Sequence, residues 1–365
     1  MKKRKIAFII PSLQTGGAER VVVTLSNSLS TRFDVTIIAL YSSEIFYALN
    51  PNVTVKFCSG TYKFNTNPIT RVLNHFKLIK GIYSIVKQNK IEVMIGFMTT
   101  PNVYAVIASK IAKVRCIISE RVHPNHIQAS KFWGLIRKKI YPFTDYMVIQ
   151  TQEIADYFSS FIKAEKIKII LNPLNPELLN KIQSDNKREN VILNVGRLDY
   201  QKNQDMLIRA FSNIERKDWK LFIAGDGSQK NNYLKLIDEL NLTNSVELLG
   251  NIDDLSHYYN SAKIFAFTSR YEGFPNALTE AMAFGLSCIS TDCPSGPSEL
   301  IIDNKNGILI PVEDQTSLEV KLQLLMDNEA LRTDLSLNAQ LDTQKFEHHA
   351  IANQWELLIE NLLPA

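Results

Sequence analysis

Short apolar runs rich in β-branched residues alternate with amphipathic stretches along the whole chain, and this alternation constrains the fold more than any other feature. Strands separated by helical patterns are the mark of parallel βαβ units. In the first half the strand candidates are 6–10, 35–40, 53–57, 93–97, 116–119, 146–149 and 167–171, with helical patterns such as 69–88 and 102–112 between them. A second series follows the polar segment 180–190, with strands predicted at 191–195, 221–224, 246–249, 264–268, 288–290 and 307–310. Helical patterns then run from 317 to 363. Between the two series lies Asn172-Pro173-Leu174-Asn175-Pro176, a poor helix or strand because each proline lacks a donor and restricts its predecessor. At 365 residues the chain exceeds what one core usually organises. The expectation is an α/β protein of two doubly wound, Rossmann-like domains facing a central cleft. The boundaries are 1–172 and 173–345, with 346–365 a C-terminal helix packing back toward the first domain.

No apolar run approaches the ~18–20 residues needed to span a bilayer. The basic start Met1-Lys2-Lys3-Arg4-Lys5 precedes only five apolar residues, Ile6 to Ile10, before Pro11 and no cleavage pattern, so it reads as a buried first strand and not a signal peptide. Cys58, Cys116, Cys288 and Cys293 form no C-x-x-C pair and fit reduced cytosolic thiols. The net charge of +4 conceals an asymmetry. Up to Asn172 there are 24 Lys and Arg against 9 Asp and Glu, a balance of +15, and the remainder carries −11. The basic half is expected to face something anionic.

A nicotinamide dehydrogenase does not fit. The loop after the first strand reads Gln14-Thr15-Gly16-Gly17-Ala18-Glu19-Arg20, not G-x-G-x-x-G, and the second strand ends in Leu40-Tyr41 without a ribose-binding acid. No P-loop sequence occurs. The most informative stretch is Phe267 to Ala283. There a strand runs into a loop holding Glu272, a helix starts near Asn276 as N-cap, and Glu280 follows one turn in. Free N–H groups and the positive end of the helix dipole suit a diphosphate, and carboxylates flanking it suit sugar hydroxyls. Taken alone, the stretch equally fits a capping box plus a surface acid. It has company: Gly196-Arg197-Leu198-Asp199-Tyr200-Gln201-Lys202 follows the first strand of the second series, and Ala224-Gly225-Asp226-Gly227 follows the next. A parallel strand delivers such residues into a crevice, where the fork of Arg197 and the point charge of Lys202 match a diphosphate. Gly16 and Gly17 offer close backbone approach to phosphate from the other domain.

These residues together resemble the family 4 retaining glycosyltransferases of GT-B fold, of the bacterial O-antigen, capsule and oligosaccharide-assembly type. The resemblance runs in order from Gly16-Gly17-Ala18-Glu19-Arg20, through Gly196-Arg197-Leu198 with Lys202 and Gly225-Asp226-Gly227, to the E-x7-E pair Glu272/Glu280. It implies a UDP-sugar donor held mainly by the second domain. Arg197 and Lys202 would neutralise the diphosphate, Glu280 would hold the ribose, and Glu272 with Gly273, Phe274 and Asn276 would line sugar and phosphates. Asn251, at the strand end Gly250-Asn251-Ile252, would flank the base. Many members carry a His after the fifth strand, contacting the donor sugar. Here Ser119-Glu120-Arg121-Val122-His123 puts Arg121 in that place and His123 two residues on, and Arg121 and Glu120 are expected in the cleft. No D-x-D occurs, so no metal and no other cofactor is expected, with Arg197, Lys202 and the helix start carrying the leaving-group charge.

In the basic half, 131–141 interleaves Phe132, Trp133, Leu135 and Ile136 with Arg137, Lys138 and Lys139, and Lys77, Lys80, Lys87 and Lys90 stud another helical pattern. Both patterns read as contacts with an anionic membrane surface, the alternative being an ordinary amphipathic helix that buries Trp133 and Ile136 in the core. Nucleic acid is the rival anion, but no nucleic-acid module is present. The sequence therefore points to transfer of a hexose or N-acetylhexosamine, with the resemblance favouring N-acetylgalactosamine, to a lipid-linked or surface-polysaccharide acceptor. The lipid would be of the undecaprenyl-diphosphate type, at the cytoplasmic face of the membrane. A sugar-nucleotide epimerase of the same fold and a non-catalytic nucleotide-sugar-binding subunit are the alternatives.

Overall fold

The computed structural model describes residues 3–14, 16–62, 67–121, 131–183 and 187–363. The chain divides into unit 1, residues 1–173 with 348–365, and unit 2, residues 174–347.

Unit 1 is built on seven parallel strands: β1 (Lys5–Ile10), β2 (Asp34–Tyr41), β3 (Thr54–Ser59), β4 (Val93–Phe97), β5 (Arg115–Ser119), β6 (Tyr146–Ile149) and β7 (Ile167–Ile169). Their order is β3-β2-β1-β4-β5-β6-β7. β1 is buried on both faces, which is why it reads as a continuous apolar run. Ile6, Phe8 and Ile10 pack into one core with helix Gly17–Leu29 and with Trp355 of the C-terminal helix. Ala7 and Ile9 pack into the other, with Leu78, Ile82 and Val86 of helix Pro68–Asn89. Helix His348–Glu360 thus belongs to unit 1 through Ile351, Trp355 and Ile359. The two residues before it stay with unit 2: the N–H of Leu174 donates to the carbonyl of Phe346, and the buried Phe346 ring packs edge-on against Phe274.

Unit 2 contains β8 (Glu189–Val195), β9 (Lys220–Ala224), β10 (Val246–Gly250), β11 (Ala262–Phe267), β12 (Ser287–Thr291) and β13 (Ile308–Ile310), ordered β10-β9-β8-β11-β12-β13, all parallel. In both sheets the strand order reverses beside the first strand, β1/β4 in one and β8/β11 in the other. In doubly wound sheets ligands settle at that switch point, outside the carboxyl ends of the strands.

The helix Lys131–Ile140 departs from the sequence reading. Arg137 is buried, 4.0 Å from the Glu120 carboxylate, and its guanidinium lies near the rings of Tyr157 and Phe158. Trp133 and Ile136 pack on the unit's own core, leaving Leu135, Lys138 and Lys139 exposed. Sequence periodicity assigns a polar face to charge, but a cation that finds a buried carboxylate turns inward. The helix Pro68–Asn89 does the opposite: Ile69, Val72, Leu73 and Phe76 form an exposed apolar row beside Arg71, Lys77 and Lys80.

Candidate active site

Two glycine turns in unit 2 bring the loops after β8 and β9 together, backbone on backbone. The N–H of Gly196 donates to the carbonyl of Ala224 at 2.9 Å, and that of Leu198 to the carbonyl of Asp226 at 3.0 Å. Gly225 has φ +139°, and a Cβ there would sit 2.0 Å from the carbonyl oxygen of Gly196. A Cβ on Gly227 would sit 2.4 Å from that of Leu198. Only glycine permits this approach.

The chain then turns at Asn203, φ 53°, into helix Gln204–Asn213. The Lys202 side chain folds back across Gly196, where an added Cβ would meet its Cδ at 3.2 Å. Its Nζ lies 2.6 Å from Oε1 of Glu272 and 4.9 Å from the centre of the Phe267 ring. Glu272 follows β11 and is 5% exposed, its N–H held by the carbonyl of Pro294 at 3.2 Å. The two loops are laced together: the N–H of Arg270 donates to the Gln201 carbonyl, and the Gln201 amide donates to the Tyr271 carbonyl. Lys202 and Glu272, seventy residues apart, thus share one partly buried ion pair at the switch point between β8 and β11. Arg197 does not join them. Its side chain is 73% exposed and pairs with Asp199 at 3.3 Å and Gln201 at 3.3 Å.

Gly273 and Phe274 are buried and lead into helix Asn276–Ala283. Asn276 is the first helical residue and not the cap. Pro275 occupies the cap position and supplies no side-chain hydrogen bond, because its ring carries no acceptor; Gly296 packs against that ring, where a Cβ would lie 2.5 Å from it. The first intrahelical bond runs from the N–H of Thr279 to the Pro275 carbonyl, so the N–H groups of Ala277 and Leu278 precede the ladder. Glu280 is 3% exposed and accepts a hydrogen bond from the Tyr259 hydroxyl at 3.1 Å. Asn251, exposed, follows β10, whose Gly250 closes a bridge to Gly225. Cys293 is a further neighbour: burial, with the Glu272 charge beside it, pushes its thiol up to about 12, so it stays protonated at neutral pH.

In unit 1, Gly16 and Gly17 open helix Gly17–Leu29. The face of Gly16 is not open to phosphate here. The Glu19 carboxylate folds over it, 2.1 Å from where a Cβ would be, and burial raises the Glu19 carboxyl above its ordinary value. The Tyr47 hydroxyl bridges the N–H and carbonyl of the same glycine. Sequence reasoning missed both residues, although a Glu at the third helical position is the reach-back half of a capping box. Glu120 is likewise corrected. It turns into the core, where Tyr141 and Thr99 donate to its carboxylate, and burial raises its pKa. Arg121 points to the opposite face, over the Phe97 ring. His123 lies outside the described residues. Among the described residues no cluster of three or more His, Cys, Asp or Glu has the geometry to hold a metal ion, and no helix is long and apolar enough to cross a membrane.

Two doubly wound units, one with a Lys–Glu pair and a helix start at its switch point, define a GT-B glycosyltransferase. Residues 15–178 match the family described as Glycosyltransferase Family 4, residues 177–342 match Glycosyl transferases group 1, and the chain belongs to this family. It is 33% identical to the GalNAc-α-(1→4)-GalNAc-α-(1→3)-diNAcBac-PP-undecaprenol α-1,4-N-acetyl-D-galactosaminyltransferase of Campylobacter jejuni, over 97% of this chain and 98% of that one. A second C. jejuni relative, N-acetylgalactosamine-N,N'-diacetylbacillosaminyl-diphospho-undecaprenol 4-α-N-acetylgalactosaminyltransferase, is 32% identical over 96% of this chain and 97% of the other. Among solved structures, Anabaena HepE in complex with UDP superposes with a TM-score of 0.79 at 20% identity, covering 98% of this chain and all of that one.

Proposed function

We propose that this glycosyltransferase moves an N-acetylhexosamine or hexose, N-acetylgalactosamine first, from a UDP-sugar to an undecaprenyl-diphosphate-type acceptor, with retention of anomeric configuration. The observation that carries the reading is the partly buried Lys202–Glu272 pair in front of the helix Asn276–Ala283. It joins a cation and open N–H groups, for the diphosphate, to carboxylates at Glu272 and Glu280, for hydroxyls. Arg197, exposed and lightly paired, is free to swing onto the same diphosphate. Glu280 would take the ribose and Asn251 would flank the base, with the backbone of Gly273 and Phe274 beside the sugar. The named substrates of the two C. jejuni relatives support the lipid-linked acceptor and the sugar, and the UDP in the HepE structure supports the nucleotide.

As the bond from the anomeric carbon to the phosphate oxygen breaks, negative charge gathers on the leaving UDP. Lys202, Arg197 and the helix N-terminus stabilise it without a metal. The departing phosphate oxygen accepts the acceptor's hydroxyl proton, and the new bond forms on the face the phosphate leaves. Unit 1 would meet the cytoplasmic face of an anionic membrane. Its +15 balance and the row Ile69, Val72, Leu73 and Phe76 flanked by Arg71, Lys77 and Lys80 support that placement.

The test incubates the chain with several UDP-sugars and a lipid-diphosphate acceptor, reading UDP release and glycolipid product. Transfer with retained configuration is expected from one UDP-N-acetylhexosamine. Binding without turnover would replace the transferase reading with a partner subunit, and a changed sugar on the nucleotide would replace it with an epimerase.

A further inference from the structure

Beyond the carboxyl ends of β5 and β6 in unit 1 lie buried polar side-chain atoms, of Arg121 and Gln150, with no hydrogen-bond partner among the described residues. Arg121 follows β5 and lays its guanidinium carbon 4.3 Å from the centre of the Phe97 ring. Phe97 stacks in turn on Trp355 of the C-terminal helix, centroids 5.8 Å apart. Nη1 of Arg121 donates to Oδ1 of Asn172, beyond β7. Its Nε and Nη2 are buried and have no hydrogen-bond partner among the described residues. The register of β5 on β6 ends with Ser119 opposite Val148, and Arg121 and Gln150 each lie two residues beyond that last pair. Gln150 is fully buried, and both its amide oxygen and nitrogen lack a partner among the described residues.

Nε–H and one Nη2–H lie parallel on a single edge of the planar guanidinium, the fork that matches two oxygens of a phosphate or carboxylate. Burying that edge unbonded carries its full desolvation cost, which a bound oxyanion offsets. Desolvation already lowers the Arg121 pKa to about 9, and the adjacent Glu120, whose charge opposes that shift, turns its carboxylate to Tyr141. Gln150, with one donor and one acceptor side, matches a neutral hydroxyl or amide next to the anion. We propose that Arg121 and Gln150 form an oxyanion-binding site in unit 1, taking two oxygens of a sugar's phosphate or carboxylate group on the Nε/Nη2 edge. The site stands on unit 1 alone, so its failure leaves the nucleotide reading of unit 2 untouched.

The experiment uses the full chain with UDP at saturation, to block the diphosphate site of unit 2. Thermal midpoints are followed while inorganic phosphate, glucuronate or neutral glucose is added at constant ionic strength. A saturable rise with phosphate or with glucuronate, and none with glucose, is expected, and the anion that acts identifies the phosphoryl or carboxylate source. Arg121→Gln and Arg121→Lys are expected to weaken that response at least tenfold while UDP affinity stays the same. The lysine variant keeps the charge and loses only the fork. A general salt effect would be unsaturable and equal in all variants. Such a result, or no saturable response to either anion, overturns the proposal. Should both variants fail to fold, wild-type crystals soaked in selenate decide: an anomalous peak within hydrogen-bond reach of Nε and Nη2 supports the site, and none there overturns it.

Discussion

Replacing Lys202 by Met separates catalysis from folding. The substitution keeps an unbranched stem to cover Gly196 and Phe267 but removes the charge 2.6 Å from Glu272. Two losses follow. Losing one preorganised positive group from the leaving-group site costs about 2.7–4 kcal/mol of transition-state stabilisation, roughly a 10²–10³-fold fall in kcat. Separately, Glu272 is left buried with its charge uncompensated. Breaking a buried pair costs about 3–5 kcal/mol, and the low end applies because Lys202 keeps 16% of its side chain exposed. About 3 kcal/mol in a unit of this size lowers its unfolding midpoint by roughly 6–12 °C. Adding Glu272→Gln removes the stranded charge, so the double variant should recover most of the stability and none of the turnover. UDP release in the transfer assay and thermal denaturation of the same preparations read the two effects. If the double variant regained activity along with stability, Lys202 would act only by satisfying Glu272, and its role at the diphosphate would be refuted.

Glu280→Ala should weaken UDP binding roughly 10–100-fold by calorimetry, the worth of a charge-assisted hydrogen bond to a ribose hydroxyl; unchanged affinity would withdraw the ribose assignment. Turnover should survive EDTA, and complete loss restored by back-titrated magnesium would contradict a leaving group neutralised by protein cations. Co-sedimentation with anionic vesicles should weaken as salt rises, each cation near the surface contributing about 1 kcal/mol. Replacing Val72, Leu73, Phe76, Lys77 and Lys80 by Ser should reduce it more than replacing Lys138 and Lys139, and equal partitioning to neutral vesicles would show that charge is not the cause. Glu120 carries a raised carboxyl pKa, so its contribution to folding is full at acid pH and is lost as pH rises through the folded-state value. Glu120→Gln should flatten that fall, measured by urea denaturation between pH 5 and 8, and an unaltered slope would mean that Tyr141 and Thr99 hold the group ionised.

The sequence by itself determined the doubly wound architecture, because strands buried on both faces must be continuously apolar and their connecting helices amphipathic, a pattern independent of long-range detail. It also put Lys202 and Glu272 in loops that follow strands of one parallel sheet, which the fold brings together as an ion pair. Tertiary structure decided where each charge goes. Arg197 and Arg137 are alike on paper, yet one stays 73% exposed and the other is buried against Glu120. Both basic helical patterns read as membrane-surface contacts, yet Trp133 and Ile136 pack on the core while Ile69, Val72, Leu73 and Phe76 are exposed. Periodicity records that a helix has two faces; which face is covered depends on neighbours distant in sequence. The same holds for the carboxylate of Glu19 over Gly16 and for the unmatched edge of Arg121, which depend on where Tyr47, Phe97 and Asn172 arrive. Desolvation and pairing act through space, and no local stretch of sequence encodes them.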